Sequence, residues 1–274
     1  MTDAFWRDPP WRGGNGGYRM GLHPIPANSW LPDRITPAER SRKESLLADK
    51  KRLVFAALES SRSGQQMIRD AVERFICPNR TGVSTGHALI DAALLVPDDL
   101  CLMERQGRDY RLTASCVCSP SDWRLAEKIG RTLDSIHHPV PTLNEKLGAT
   151  MVQFFSRLPE AAIFERRNWL IHVDDQIFPP RAEAWPTLAL QDAANLVVRS
   201  ERQTLRRLDD STIVFTIRVS CHPLGNIVGY PEAAQDLIRA FDTMDAAERK
   251  ATGYSHYGPL VSAFLTSVRE GCDT

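Results

Sequence analysis

LVVRSERQTLRRLDDSTIVFTIRVSC, residues 196–221, decides the fold. Its second half alternates strictly: Ile213, Phe215, Ile217 and Val219 point one way, a period-2 strand over Thr212–Cys221. Its first half, Leu196–Leu208, reads as a second strand. Asp209-Asp210-Ser211 between them is a turn composition, so the two strands pair antiparallel. Working outward, Leu100–Arg105 and Asp109–Cys118 flank Gly107 as another hairpin, and Ile163–Val173 is a fifth strand with Ile163, Trp169, Ile171 and Val173 on one side. Strands joined by hairpins, with helices before, between and after them, predict an α+β domain built on a five-stranded antiparallel sheet, not a parallel βαβ fold.

Capping signals place the helices. Thr36-Pro37-Ala38-Glu39 is a capping box that opens a helix to about Leu58, with Lys50-Lys51-Arg52 on its solvated side. Ser63 and Gln66 repeat the pattern and start a helix to about Phe75, ended by a turn at residues 77–82. Ala88–Val96 reads as a short helix. Thr142-Leu143-Asn144-Glu145 is a third capping box, whose helix carries Leu147, Met151, Phe154, Phe155 and Leu158 on one face until Pro159 stops it. Pro179, Pro180 and Pro186 mark a loop. Pro231–Met244 and Tyr257–Arg269 close the chain as helices. Residues 1–35 have no period, yet Trp6, Trp11, Tyr18 and Trp30 are too apolar for a disordered tail; they predict an extended arm packed on a single domain at 36–274.

Lys plus Arg and Asp plus Glu are equal at 34 each, so the net charge is zero. That balance argues against a general nucleic-acid binder. No apolar run approaches the roughly 20 residues of a membrane span, and residues 1–20 lack the apolar core of a signal peptide. The six cysteines have no framework spacing. Reduced thiols in a cytoplasmic protein are expected. Neither a Gly-x-Gly-x-x-Gly turn nor a Gly-Lys-Ser/Thr phosphate loop is present, which argues against nucleotide binding by those devices.

Three groups of residues have chemistry to offer. Residues 113–141 read as a strand, a helix started by Ser119-Pro120 and ended at Gly130, then a loop in which Pro139 and Pro141 stiffen the chain after His137 and His138. A histidine on a fixed turn suits a metal or cofactor; it equally suits a structural hydrogen bond. Cys116 and Cys118 share a strand face, but their spacing is wrong for structural zinc, and buried apolar thiols are the plainer reading. In the second group, Arg202, Thr204 and Arg206 share one strand face while Glu201, Gln203 and Leu205 share the other. The two guanidiniums suit an oxyanion clamp, or an ion-pair ladder that also involves Arg218. The third group is Arg166-Arg167-Asn168-Trp169 with His172 and Asp174-Asp175, a strand end where a His/Asp pair serves metal, acid–base or turn roles.

Several blocks together resemble a known family. They are Gly21-Leu22-His23-Pro24-Ile25, Trp30-Leu31, Asp99–Met103, Trp123–Gly130, Ile136-His137 with Pro139-Val140-Pro141, Asn168-Trp169, Glu201–Leu208 and Val214–Arg218. Across about 20–225 the chain resembles the α subunit of heme-dependent oxidative N-demethylases of the dimethylamine monooxygenase type. After Leu208 the family has Pro-Arg-Ser where this chain has Asp209-Asp210-Ser211. The resemblance implies a PAS-like sheet holding heme b, and oxygen-dependent removal of a methyl group from a small amine as formaldehyde. Electrons would come from a flavin and iron–sulfur reductase subunit. It makes His137 the leading axial ligand, with Cys118 and His172 as alternatives. Arg202 and Arg206, with Lys128 and Arg124, become candidates for the heme propionates, Trp123 for stacking on the macrocycle, and Glu201 for the carboxylate facing a protonated amine. A heme-binding sensor or carrier without turnover is the alternative.

Overall fold

The computed structural model of the chain describes residues 2–76, 84–121, 124–137, 142–160, 162–178 and 188–271. The five predicted strands are all present: β3 (Asp99–Gln106), β4 (Asp109–Cys116), β5 (Ile163–His172), β6 (Val197–Arg207) and β7 (Thr212–Pro223). They are the centre of a sheet of seven strands rather than five, entirely antiparallel, in the order β1-β5-β6-β7-β3-β4-β2. The two additions are edge strands of three residues, β1 (His23–Ile25) on β5 and β2 (Phe55–Ala57) on β4. Three residues are too few to show a period of two, so neither was visible in the sequence.

β2 also shortens the first predicted helix. The Thr36–Glu39 capping box forms as expected, but α2 stops at Asp49 (Pro37–Asp49); one turn, α3 (Lys51–Val54), follows before the chain enters the sheet. Phe55 pairs with Cys116 and the Val54 carbonyl accepts from Val117 N at 2.7 Å. Backbone pairing to a fully buried strand outweighs continued helix propensity here. The turn between β6 and β7 is held by the Asp209 carboxylate, which accepts from Ser211 N (2.8 Å) and Thr212 N (2.7 Å).

One face of the sheet is closed by α4 (Arg62–Ile76) and α5 (Ala88–Ala93) over β3 and β4, and at its other end by α9 (Pro231–Thr243) and α11 (Tyr254–Gly271). The N-terminal arm opens with α1 (Thr2–Arg7) and seals this face with Trp6, Trp11 and Trp30, all essentially inaccessible. A short helix, α10 (Ala246–Ala251), lies between α9 and α11. The other face carries α6 (Leu125–Lys128), α7 (Leu133–His137) and α8 (Leu143–Arg157).

Two local predictions fail on this second layer. Ser119-Pro120 does not start a helix: the Ser119 amide is taken by Asp99 Oδ2 at 2.8 Å and its carbonyl by Arg199, so the segment is tied to the sheet and α6 begins only at Leu125. The Thr142 capping box does not form either. Thr142 adopts φ +60° and its hydroxyl is buried without a partner among the described residues. His137 is the last residue of α7, not a loop residue; residues 138–141, with the predicted Pro139–Pro141 stiffening, lie outside the described residues, as do the turn at 77–82 and Pro179, Pro180 and Pro186.

Candidate functional site

Strand alternation divides the chemistry-bearing residues between the two faces. In the register of β5 on β6, Glu165 faces Thr204 and Arg167 faces Arg202, while the intervening pairs Arg166–Gln203 and Asn168–Glu201 point the opposite way. The first set lies under the N-terminal arm. The second lies under α6–α8, with His137.

On the arm side the arginines act as a structural ladder. Arg202 pairs with Glu165 at 2.6 Å and donates to the carbonyls of Ser29 (2.6 Å) and Trp30 (3.0 Å). The Arg206 guanidinium lies over the Trp30 ring, 4.4 Å from its centroid, and Arg218 pairs with Glu39 at 2.7 Å. Arg202 and Arg206 do share a face, as alternation predicts. That face is the one the arm packs on, away from His137, and there the two arginines fasten residues 29–30. Cys118 belongs to the same side: it is fully buried in the core beneath α4 and α5, beside Cys116. A shared thiol hydrogen bond and burial push Cys116 well above the usual thiol range. No group of three His, Cys, Asp or Glu able to hold a metal ion occurs among the described residues.

The other face is built differently. α7 and α8 rest on β4, and every side chain that β5 directs to this face, Phe164, Arg166, Asn168, Leu170 and His172, is only half-buried. Ile136, Leu147 and Phe154 opposite them are half-buried as well. Phe154 meets Phe164 edge to face with ring centroids 5.0 Å apart, so the space between β5 and the α7–α8 pair is a partly exposed apolar seam, an open cleft face rather than an enclosed cavity. A hydrogen-bonded chain runs along its floor. Arg166 Nε donates to Gln203 Oε1 (2.9 Å), Gln203 Nε2 to Glu201 Oε2 (2.8 Å), Ser121 Oγ to Glu201 Oε1 (2.6 Å), and Arg199 Nε to Ser121 Oγ (2.8 Å). Arg199 is almost inaccessible and also holds the Ser119 carbonyl at 2.7 Å.

His137 borders this cleft. Its Nδ1 is 2.8 Å from the Leu133 carbonyl, one helical turn back, a contact in which Nδ1–H donates and Nε2 keeps its lone pair. Burial lowers its pKa, and the nearby Arg166 and Lys128 charges lower it further against that hydrogen bond. A neutral imidazole with a fixed tautomer and a free Nε2 is what a metal ligand requires. Lys128 does not point to an anion: its Nζ donates to the Ile136 carbonyl at 2.6 Å and tethers the end of α7 to α6. Burial lowers its pKa.

The remaining predicted site residues are scattered. Glu201 lies on the cleft floor with both oxygens already bonded. Arg124 is on the surface, 3.7 Å from Glu127, each more than 60% exposed. His172 shares the cleft face but sits six residues, about 20 Å, along β5 from Arg166. Trp123 is outside the described residues. Sequence reasoning placed Arg166 and Gln203 in separate groups without joining them, and passed over Ser121 and Arg199 as site residues. The signal was available for three of them, since register alone sets Arg166 opposite Gln203 on the face of Arg199 and Glu201.

Arg166, His137 and the half-buried apolar side chains of β5, α7 and α8 thus share one face of an antiparallel sheet in an α+β protein. The chain belongs to the family described as haem-dependent oxidative N-demethylase, alpha subunit-like, whose model matches residues 39–262. No curated protein matches the chain. The matched range takes in the whole cleft and all of the sheet except β1. As α subunit-like, the family description names one component of a multi-subunit assembly. No helix among the described residues is long and apolar enough to cross a membrane.

Proposed function

We propose that the chain binds heme b between β5 and α7–α8, where His137 Nε2 would hold the iron, and works as the heme subunit of an oxygen-dependent N-demethylase. The single observation that carries the reading is a half-buried His137 whose Nδ1 is fixed by the Leu133 carbonyl and whose Nε2 makes no hydrogen bond among the described residues, beside apolar side chains of β5 and α8. The residues present fit the group. Phe154, Phe164, Ile136, Leu147 and Leu170 offer apolar surface to a macrocycle that would part the Phe154–Phe164 contact, and the cation near His137 is Arg166. Counted among themselves, β3–β7 stand in the order 2-1-5-4-3, which supports the PAS-like reading of the sheet, with β1 and β2 as additions at its edges.

Heme, when bound, supplies the oxygen chemistry that no side chain can. What this chain does is narrower. His137 offers a deprotonated nitrogen because burial and two neighbouring cations oppose its protonation. Lys128 fixes the carboxyl end of α7, and so the direction of the ring, through the Ile136 carbonyl. Glu201, whose two oxygens are held by Ser121 and Gln203, is the carboxyl on this face that would stand nearest a bound amine. The family description gives the reaction class; a flavin and iron–sulfur reductase subunit is the electron source this reading requires.

Heme reconstitution tests it. The purified chain is expected to take up about one heme with a Soret band. His137→Ala should lose the native axial-ligand spectrum and regain part of it with added imidazole, while Cys118→Ser and His172→Ala leave it unchanged. A chain that shows no Soret band ends the heme reading, and a spectrum disturbed only by Cys118→Ser ends the ligand assignment.

A further inference from the structure

β1 covers β5 only as far as Glu165, so beyond it the edge of β5 is open to the N-terminal arm. A pocket of about 320 Å³ lies there, between residues 10–21, the start of α8 and residues 166–169 of β5. That is at the small end of the roughly 300–1,000 Å³ usual for ligand sites. Its charged wall has one sign: Arg19, Arg166, Arg167 and His23 line it, and no Asp or Glu does among the described residues. Arg167 is satisfied by the carboxylate and carbonyl of Asp8, both at 2.5 Å, and Arg19 reaches the Pro10 carbonyl. Arg166 is different. Among the described residues it makes one hydrogen bond, from Nε to Gln203, which leaves both Nη groups without an acceptor. Burial disfavours its charge, so an oxyanion partner would relieve a standing desolvation cost. Beside it in the same wall, the Asn168 side chain makes no hydrogen bond among the described residues, while the buried Tyr18 hydroxyl is influenced by the charges of Glu248 and Asp245.

Arg166 and Asn168 belong to both places. They line this pocket, and they lie on the cleft face of β5 with His137. The Arg166 Nη groups, without an acceptor among the described residues and next to Asn168 on the same strand face, match a carboxylate, which accepts bidentately from arginine. A bare methylated ammonium would meet Arg166 as a like charge in an enclosed site, with Glu201 already bonded at both oxygens on the far side of Gln203.

We propose that this pocket binds a carboxylate through Arg166 and Asn168, and that the amine acted on carries that carboxylate: an N-methylated amino acid instead of a simple methylamine. The inference rests on the N-demethylase reading for its reaction, but not for its binding chemistry. Carboxylate can also come from a heme propionate, and the experiment separates the two sources. The full chain, with and without heme, is titrated calorimetrically with N,N-dimethylglycine, dimethylamine and acetate. N,N-dimethylglycine should bind at least tenfold tighter than dimethylamine, with acetate competing. Arg166→Gln should remove that preference, and Arg166→Lys should recover part of it while the melting temperature stays near that of the parent. Equal binding of dimethylamine and N,N-dimethylglycine by the parent chain overturns the proposal, a result that needs no variant. It is also overturned if Arg166→Gln leaves N,N-dimethylglycine binding intact and weakens only heme retention, which assigns the guanidinium to a propionate. Loss of the heme reading would show as a missing Soret band; carboxylate preference in the heme-free chain would survive it.

Discussion

The two faces of the sheet use arginine in opposite ways. On the arm side, Arg202 and Arg218 each reach a carboxylate, and Arg206 stacks on Trp30. Under α7 and α8, Arg166 is as deeply placed but meets only an amide oxygen. A buried arginine with its acceptors in place fastens structure, because removing it strands a partner charge. A buried arginine without them is a standing cost that folding alone does not justify. The histidines do not repeat this contrast: His222 on the arm side stacks on Phe5 at 3.6 Å and bonds Ser220 Oγ at 2.9 Å through Nε2, but its buried Nδ1 has no partner among the described residues, and His137 bonds the Leu133 carbonyl through Nδ1 alone. The arm face is held by ion pairs and stacking within the chain. On the other face, the Arg166 Nη groups have no acceptor among the described residues.

The largest effect that separates the faces is expected at Arg202. Arg202→Ala leaves Glu165 unpaired and unfastens Ser29 and Trp30, a loss of about 3 kcal/mol by analogy with broken buried pairs. Denaturant midpoints measure it. Heme retention per folded molecule should not change. A variant of full stability that loses heme would break the comparison and return Arg202 to the propionates.

Much of this division was legible in the sequence. Period two over residues 196–221 gave the hairpin, and it also put Arg202 with Arg206 and Glu201 with Gln203 on opposite faces, as found. What alternation does not say is which face meets the arm. That depends on where Trp30 packs, a contact between residues more than 170 positions apart. Thr142 shows a second limit: a capping box is a local preference, and here a left-handed Thr142 with a buried hydroxyl replaces it. His137 was singled out for its prolines, which fall outside the described residues; the feature that orients its ring is the Leu133 carbonyl, available only because the residue is helical. β1 and β2 were hidden for a simpler reason, since three residues carry no period.

A smaller effect follows from the histidine pair. Burial lowers the pKa of His222 to about 4, and burial with the adjacent cations lowers that of His137. The unfolded chain therefore takes up these protons first, near the ordinary value of about 6.5. Stability held by the neutral rings is complete above that pH and is lost as pH falls toward 4. For His222 the loss should be on the order of 1–2 kcal/mol, the linkage value discounted because the ring keeps some solvent contact. Thermal melts of the heme-free chain from pH 7 to pH 4 test this against His222→Phe, which should flatten the decline in that window. An equally steep decline in the variant would mean that the stacked ring on Phe5 is not what acid releases.

The smallest effect is expected at Arg124, and its size is the point. Arg124 and Lys128 are one helical turn apart, and sequence reasoning offered both to the propionates. The structure gives them different surroundings. Lys128 is buried and tied to Ile136, while Arg124 pairs at 3.7 Å with Glu127 and both side chains are more than 60% exposed. An exposed pair at that separation contributes roughly 0–0.5 kcal/mol, because water screens the charges and two long side chains lose rotamer freedom to hold the contact. Arg124→Ala should therefore leave the melting curve and heme retention within error of the parent chain. Were Arg124→Ala to weaken heme binding several-fold without changing stability, the cleft would have to extend around α6 to the surface, and the boundary drawn here between a fastened face and an open one would move with it.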